Sequence, residues 1–277
     1  MHSPKVSVLM SVFNGAKYLR ASIESILCQD FYDYEFIIIN DGSTDSTPNI
    51  LEEYKRKDSR IRVIHQENKG LIFSLNRLVS ESMAKFLARQ DADDVSARSR
   101  LRKQYDWLIN NSSVSVLGTS NYLINSRGKI ENLFLRPTDH DIIAKHLYLL
   151  NPICHGSVMV QKNHFDGIGF YNADAVFVED YELWCRITKH GKKLANLREP
   201  LYFWRTHEAG IGWSKGQQQK NSFERIRDEY FSKSDYSDNE IQYHYPGSYL
   251  GDKWFEFKGL INAFECHFRG HGIRFSK

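Results

Sequence analysis

The sequence predicts an α/β protein, a mostly parallel sheet flanked by helices. Three observations carry that expectation. Short β-branched apolar runs alternate with segments of helical periodicity through the first 110 residues. The first two runs close on a turn signal, and the fourth leads directly into a group of carboxylates. At 277 residues, with 41% hydrophobic and 26% charged side chains, the chain has ample material for an α/β core.

The elements follow in order. VSVLMSV (6–12) reads as a buried-type strand closed by Asn14-Gly15. Leu19, Ile23, Ile26 and Leu27 recur at helical spacing, so 16–28 is an amphipathic helix. EFIIIN (35–40) is a second strand, ended by Asp41-Gly42. Thr47 as N-cap and Pro48 at the first helical position open a helix to about Arg56. IRVIH (61–65) is the third strand, and Leu71, Leu75, Leu78 and Val79 mark the next helix. KFLARQ (85–90) is the fourth strand, followed by a helix from about Arg98 to Asn110.

The second half is less regular. VSVLGTSNYLIN and KIENLFL flank Ser126-Arg127-Gly128 as a hairpin, with a helix at about 139–149 and a strand at SVMVQ (157–161). A helix from Asp180 to about His190 is closed by Gly191. LYFWRTH (201–207) is an aromatic strand, and 215–232 is a polar helix. The tail from 245 carries Trp254, Phe255, Phe257, Phe264, Phe268 and Phe275 among Lys253, Lys258, Arg269, Arg274 and Lys277.

Composition excludes several classes. A net charge of +3 without a Lys/Arg-rich run gives no footprint for nucleic acid. Cys28, Cys154, Cys185 and Cys266 show no CxxC spacing, which fits free thiols in a reducing cytoplasm rather than a zinc cluster. The N-terminal residues lack the basic and apolar regions of a signal peptide, and no apolar run reaches the ~20 residues of a membrane span. Neither GxGxxG after the first strand nor GxxxxGK[ST] occurs, against a dinucleotide oxidoreductase and a P-loop ATPase.

The chemistry gathers at strand ends. In open parallel sheets, ligands bind outside the carboxyl ends of the strands. Asn14-Gly15, Asp41 and the carboxylates Asp91, Asp93 and Asp94 each follow a strand, so parallel neighbours would bring them to one edge. Three carboxylates within four residues repel unless a cation sits among them. An EF-hand register fails: counting from Asp91, Ser96 stands where Gly is required and Arg102 where Glu is. Acidic residues near a helix start are the plain alternative. A divalent cation on one or two carboxylates, completed by a substrate's phosphates, suits the pattern better. Asp41 is then placed to accept a hydrogen bond from a base or ribose.

VSVLMSVFNGAKYLRASIESILCQDFYDYEFIIINDGSTDST, ENKGLIFSLNRL, ARQDADD, NPICHGSVMV and VEDYELWCRI, in this order and spacing, resemble an inverting family 2 glycosyltransferase with a GT-A (Rossmann-like) fold, of the kind that builds bacterial capsule or lipopolysaccharide. The resemblance spans about residues 4–207 and implies transfer of a hexose or N-acetylhexosamine from a nucleotide-diphosphate sugar, most often a UDP-sugar, to a glycan or lipid-linked glycan. It implies that Val12, Phe13 and Asn14 line the nucleotide pocket, that Asp41 recognises uracil, and that Lys69 and Gly70 flank the base or ribose. Asp91, Ala92 and Asp93 match the family's DxD motif; Asp93 or Asp94, with His207, would bind Mn²⁺ or Mg²⁺. Asp180, in the Glu179-Asp180 pair, matches the general base, and the plain alternative of a helix N-cap is compatible with it. His155 stands where relatives place a histidine near the acceptor, with a structural role as the alternative; Trp184 is the other acceptor candidate, although Leu183 and Ile187 beside it favour a core position over a sugar platform.

Ser11 departs from a usual Pro, Ala84 from a frequent Gly, and SARSR (96–100) from an LPxR-type stretch. The QxxRW motif and membrane helices of processive relatives are not evident, which favours non-processive addition. The expected division is a GT-A domain over 1–212 and a C-terminal helical extension over 213–277, making acceptor, peripheral-membrane or homodimer contacts. The expected location is cytoplasmic, with the inner face of the plasma membrane as the alternative. A silent sugar-nucleotide-binding module and a metal-dependent nucleotidyltransferase are the competing functions.

Overall fold

The structure is a computed structural model describing residues 3–207 and 216–232. β1 (Val6–Val12) lies between β2 (Tyr34–Asp41) and β4 (Phe86–Arg89), parallel to both, and β3 (Ile61–Gln66) pairs in parallel with β2. Every residue of β2 is buried, as a parallel strand covered on both faces requires. Its alternation divides the core: Phe36 and Ile38 join Leu19, Ile23 and Ile26 of α1 (Ala16–Leu27) and Leu51 of α2 (Thr47–Lys57). Ile37 and Ile39 join Leu75, Leu78 and Val79 of α3 (Leu71–Glu81) on the opposite face.

β5 (Val95–Ser96), α4 (Arg100–Asn110), β6 (Val114–Ile124), β7 (Ile130–Phe134), α5 (His140–His146), β8 (Met159–Gln161), α6 (Glu179–Lys189), β9 (Lys193–Arg205) and α7 (Gly216–Tyr230) complete the described chain. The sheet runs β3-β2-β1-β4-β8-β6-β9-β5, with β7 on β6. Parallel pairing holds from β3 to β4 and between β6 and β9, whereas β8, β5 and β7 pair antiparallel with their neighbours. The parallel half thus brings the ends of β1, β2 and β4 to one edge, as the strand pattern requires.

Three local expectations change. β9 begins at Lys193 rather than 201, because Arg198-Glu199-Pro200 interrupts its apolar pattern while register shifts opposite Thr119–Asn121 absorb the Pro. β5 is two residues long and leaves no periodic trace. Thr47 is the first helical residue rather than the N-cap, and its hydroxyl accepts the Gly15 N–H at 3.0 Å. The stop at Gly191 holds, with φ of 70° and its N–H on Thr188 O at 2.9 Å.

α7 packs on α6 through Tyr181 and Phe223, whose rings stack at 4.2 Å, and through buried Ile226. The aromatic tail from 245 lies outside the described residues. No helix among the described residues is long and apolar enough to cross a membrane.

Arg100 ties the sheet edge together. Fully buried, it donates to Arg89 O at 3.0 Å, Ser157 O at 3.3 Å and Gln90 Oε1 at 3.4 Å. Arg100→Leu takes a charged donor from the Arg89 carbonyl and leaves Ser157 O and Gln90 Oε1 to Gln104 and Ser96 alone, so it should lower unfolding free energy by about 3 kcal/mol in urea denaturation. A change under roughly 0.5 kcal/mol, the range of an uninvolved surface position, contradicts this role.

Candidate active site

The edge is built from loops that hydrogen-bond one another. Asn14 adopts φ of 49°, a conformation its short polar side chain tolerates. Its Oδ1 accepts the Thr44 N–H at 2.8 Å, and its own N–H donates to Ser43 Oγ at 2.9 Å. The Ala16 N–H donates to Asp45 Oδ2 at 3.1 Å. Between these stitches Val12 is buried and Phe13 stands 53% exposed, an aromatic face at the mouth of the loop.

Asp41 is buried at the end of β2. Oδ1 accepts from Gln66 Nε2 at 2.7 Å and Lys69 N at 2.9 Å, and Oδ2 from Gly70 N at 2.9 Å. These bonds place Lys69 and Gly70 against the carboxylate. They leave about one of its four lone-pair positions unused.

The three carboxylates after β4 have three different surroundings. Asp91 Oδ1 receives Arg89 Nη2 at 2.5 Å, and its backbone N–H donates to the Tyr202 hydroxyl at 3.1 Å. Asp94 turns inward and accepts the Arg205 N–H at 2.7 Å. Burial, with Asp93 and Asp91 beside it, pushes its carboxyl well above the usual range, toward the neutral form. Asp93 is the most exposed of the three, 37% against 29% for the Asp91 side chain, with Oδ2 2.8 Å from His207 Nε2. Ala92 packs its methyl on the β1–α1 core.

The expected metal set therefore divides. Asp93 and His207 are brought together, whereas Asp94 is committed to the backbone of β9. No group of three or more His, Cys, Asp or Glu side chains among the described residues could hold a metal alone. A carboxylate and an imidazole in mutual reach fit a magnesium- or manganese-type ion whose remaining positions go to phosphate oxygens and water.

Glu179 and Asp180 open α6, just after Phe177, whose φ of 69° is rare for a bulky residue. That left-handed turn aims the first helical turn at the strand edge. Asp180 Oδ2 accepts from Asn151 Nδ2 at 2.6 Å and Oδ1 from the Tyr181 N–H at 2.7 Å. His155 Nδ1 lies 3.8 Å from Glu179 Oε1 and 4.0 Å from Asp180 Oδ2, while its Nε2 meets the Tyr171 hydroxyl at 2.9 Å. Burial, with Arg89 nearby, holds His155 well below the usual imidazole range, hence neutral. Burial and then the Asp180 charge push Glu179 up to about 7. Burial also raises Asp180, against the opposing bonds from Tyr181 and Asn151. Trp184 is fully buried edge-on to His155, so it backs the site rather than lining it.

Arg89, Tyr202, Asn151 and Tyr171 were not singled out from the sequence. Arg89 left a signal, a cation closing an otherwise apolar strand. Tyr202 and Asn151 left none, because their partners lie 111 and 29 positions away.

Residues 7–166 match the family model described as glycosyl transferase family 2. An uncharacterized glycosyltransferase of Haemophilus influenzae is 32% identical over 238 residues, covering 82% of this chain and 73% of the relative. The putative glycosyltransferase EpsE of Bacillus subtilis is 35% identical over 205 residues, 72% of each chain. The O-antigen biosynthesis glycosyltransferase WbnJ of Escherichia coli is 34% identical over 209 residues, 73% of this chain and 80% of WbnJ. The fold resembles residues 1–349 of S. aureus TarS in complex with UDP, at a TM-score of 0.64 and 18% identity, over 85% of this chain and 68% of that one. It also resembles the Pyrobaculum calidifontis mannosyltransferase PcManGT in complex with GDP-Man and Mn²⁺, at 0.60 and 16%, over 82% and 64%.

Gly156 gives the site a sharp steric test. A Cβ there would overlap the Tyr202 hydroxyl and come within 2.6 Å of Asp91 Oδ2. Gly156→Ala should therefore lower stability by about 1–3 kcal/mol in thermal denaturation. An unchanged melting temperature contradicts the close approach.

Proposed function

Because this chain belongs to glycosyl transferase family 2, we propose that it moves a sugar from a nucleoside-diphosphate donor to a hydroxyl of a glycan or lipid-linked glycan, with inversion at the anomeric carbon. The observation that carries the reading is a division of carboxylates at one sheet edge. Asp93 is half-buried and paired with His207, while buried Glu179 and part-buried Asp180 stand beside His155.

A UDP-sugar is the donor we favour. TarS is solved with UDP and with UDP-GlcNAc, though PcManGT carries GDP-Man. Phe13 and the Asn14 loop would line the base, and the remaining acceptor position of Asp41 would take a base N–H. Lys69 and Gly70 would close that pocket from the other side. The name of WbnJ supports a place in surface-polysaccharide assembly.

Chemically, the acceptor oxygen attacks the anomeric carbon in line with the bond to the diphosphate. That bond breaks, and its electron pair leaves with the nucleotide. A divalent cation on Asp93 and His207 would supply Lewis-acid stabilisation of the charge gathered there. Asp180 takes the proton from the attacking hydroxyl. Asn151 and the Tyr181 N–H fix its carboxylate, and neutral His155 offers an imidazole edge without adding charge. Trp184 acts by holding His155. Inversion needs no covalent intermediate, so one base suffices.

UDP release should be followed with a panel of UDP-sugars and GDP-mannose. Asp180→Asn should lower kcat by ~10²–10⁴-fold with UDP affinity unchanged. Turnover retained in that variant overturns the assignment of the base.

The pH profile adds a second check. The Glu179–Asp180 pair faces His155, Asn151 and Tyr171, with Arg89 and Asp91 also within electrostatic reach. A base must be ionised to accept a proton, so kcat/KM should fall as pH is lowered through the pair's titration, which includes a group near 7. Glu179→Gln removes the member of the pair pushed up to about 7, and the acid limb should move to lower pH. A stationary limb would show that the pair does not govern the reaction.

A further inference from the structure

One side of the β7–β6–β9 ribbon, buried at one end and open at the other, is unexplained by donor binding or base catalysis. Asn121 of β6 pairs with Tyr202 of β9 and Phe134 of β7, and Leu123 with Trp204 and Asn132. Directly paired side chains stand on one face, so these six share it. The intervening residues Tyr122, Ile124 and Phe203 turn the other way into a closed cluster, where Tyr122 and Phe203 stack at 5.1 Å.

At one end of the shared face is buried Tyr202, with its hydroxyl on Asp91. One step along, Trp204 emerges 41% exposed, its ring 6.4 Å from that of half-buried Phe134. Arg136 lies over Phe134 at 5.5 Å and donates to Asn121 Oδ1 at 3.1 Å. It also donates to Asn151 O at 3.4 Å, and Asn151 in turn holds Asp180. The aromatic face is thus physically continuous with the carboxylate that would activate the acceptor.

We propose that Trp204 and Phe134, with Arg136, Leu123 and Asn132, form a shelf for the acceptor saccharide. A pyranose presents a C–H face and a rim of hydroxyls, and this surface offers aromatic rings beside amide and guanidinium groups. Aromatic rings give such a ligand a rigid apolar platform, and polar neighbours fix its orientation. The shelf rests on the glycosyltransferase reading for its role, and on its own geometry for saccharide binding.

The test uses the full chain with cellotriose, maltotriose and chitotriose in saturation-transfer NMR, and UDP binding by calorimetry alongside. At least one trisaccharide should receive saturation. Trp204→Ala should weaken its binding about tenfold, while Trp204→Phe retains most of it. Phe134→Ala should weaken it too, guarding against a misfolded Trp204 variant. UDP affinity should stay unchanged in all three. Saturation absent for every sugar, or equal in wild type and Trp204→Ala, overturns the shelf; coverage of this face by residues 233–277 or by a second copy would give that result. Trp204-dependent saccharide binding without any UDP binding would sustain the shelf and sink the donor reading.

Discussion

The contact between Arg89 and Asp91 is the constraint on which the rest of the edge depends. Three carboxylates in four residues cannot share the end of a buried strand without compensation. Arg89 neutralises the first from within β4 itself. A buried guanidinium is costly unless paired, so Arg89 needs Asp91 as much as Asp91 needs Arg89. With that pair closed, Asp94 can turn inward to the β9 backbone, and Asp93, the most exposed of the three, meets His207. Arg100 completes the arrangement by holding the Arg89 carbonyl.

The two halves of the sheet then divide the work. The parallel half delivers Asn14, Asp41 and Asp91 to one edge through the ends of β1, β2 and β4. The other half brings His207 to Asp93 and the Tyr202 hydroxyl to Asp91 through β9. Between them α6 presents Glu179 and Asp180, steadied by α7 on its outer side. The two groups of carboxylates thus come from different parts of the chain and meet around Arg89, which lies within electrostatic reach of Asp91 and Glu179 alike.

Much of this was legible in the sequence because it is local. Continuous apolar runs announced β1 to β4, their alternation with helices implied parallel pairing, and parallel pairing put the polar strand ends together. The resemblance of the motif blocks then supplied the family. What stayed hidden was set by register. Whether Asp93 or Asp94 faces outward depends on pairing with Arg205, 111 residues later, and no window around DADD contains that information. Asp94 accordingly accepts the Arg205 N–H while Asp93 meets His207. Arg89 closes the apolar run of β4, but nothing in the sequence shows that it pairs with Asp91. Trp184 shows the reverse case: Leu183 and Ile187 beside it signalled a core position, and complete burial agrees.

The most direct measurement is UDP binding by calorimetry, with and without Mn²⁺, on wild type, Asp93→Ala and Asp94→Asn. The division of carboxylates predicts metal-dependent binding that Asp93→Ala abolishes and Asp94→Asn preserves, since Asn keeps the oxygen that accepts the Arg205 N–H. Binding indifferent to metal and to Asp93, or lost in Asp94→Asn while Asp93→Ala still binds, would contradict it.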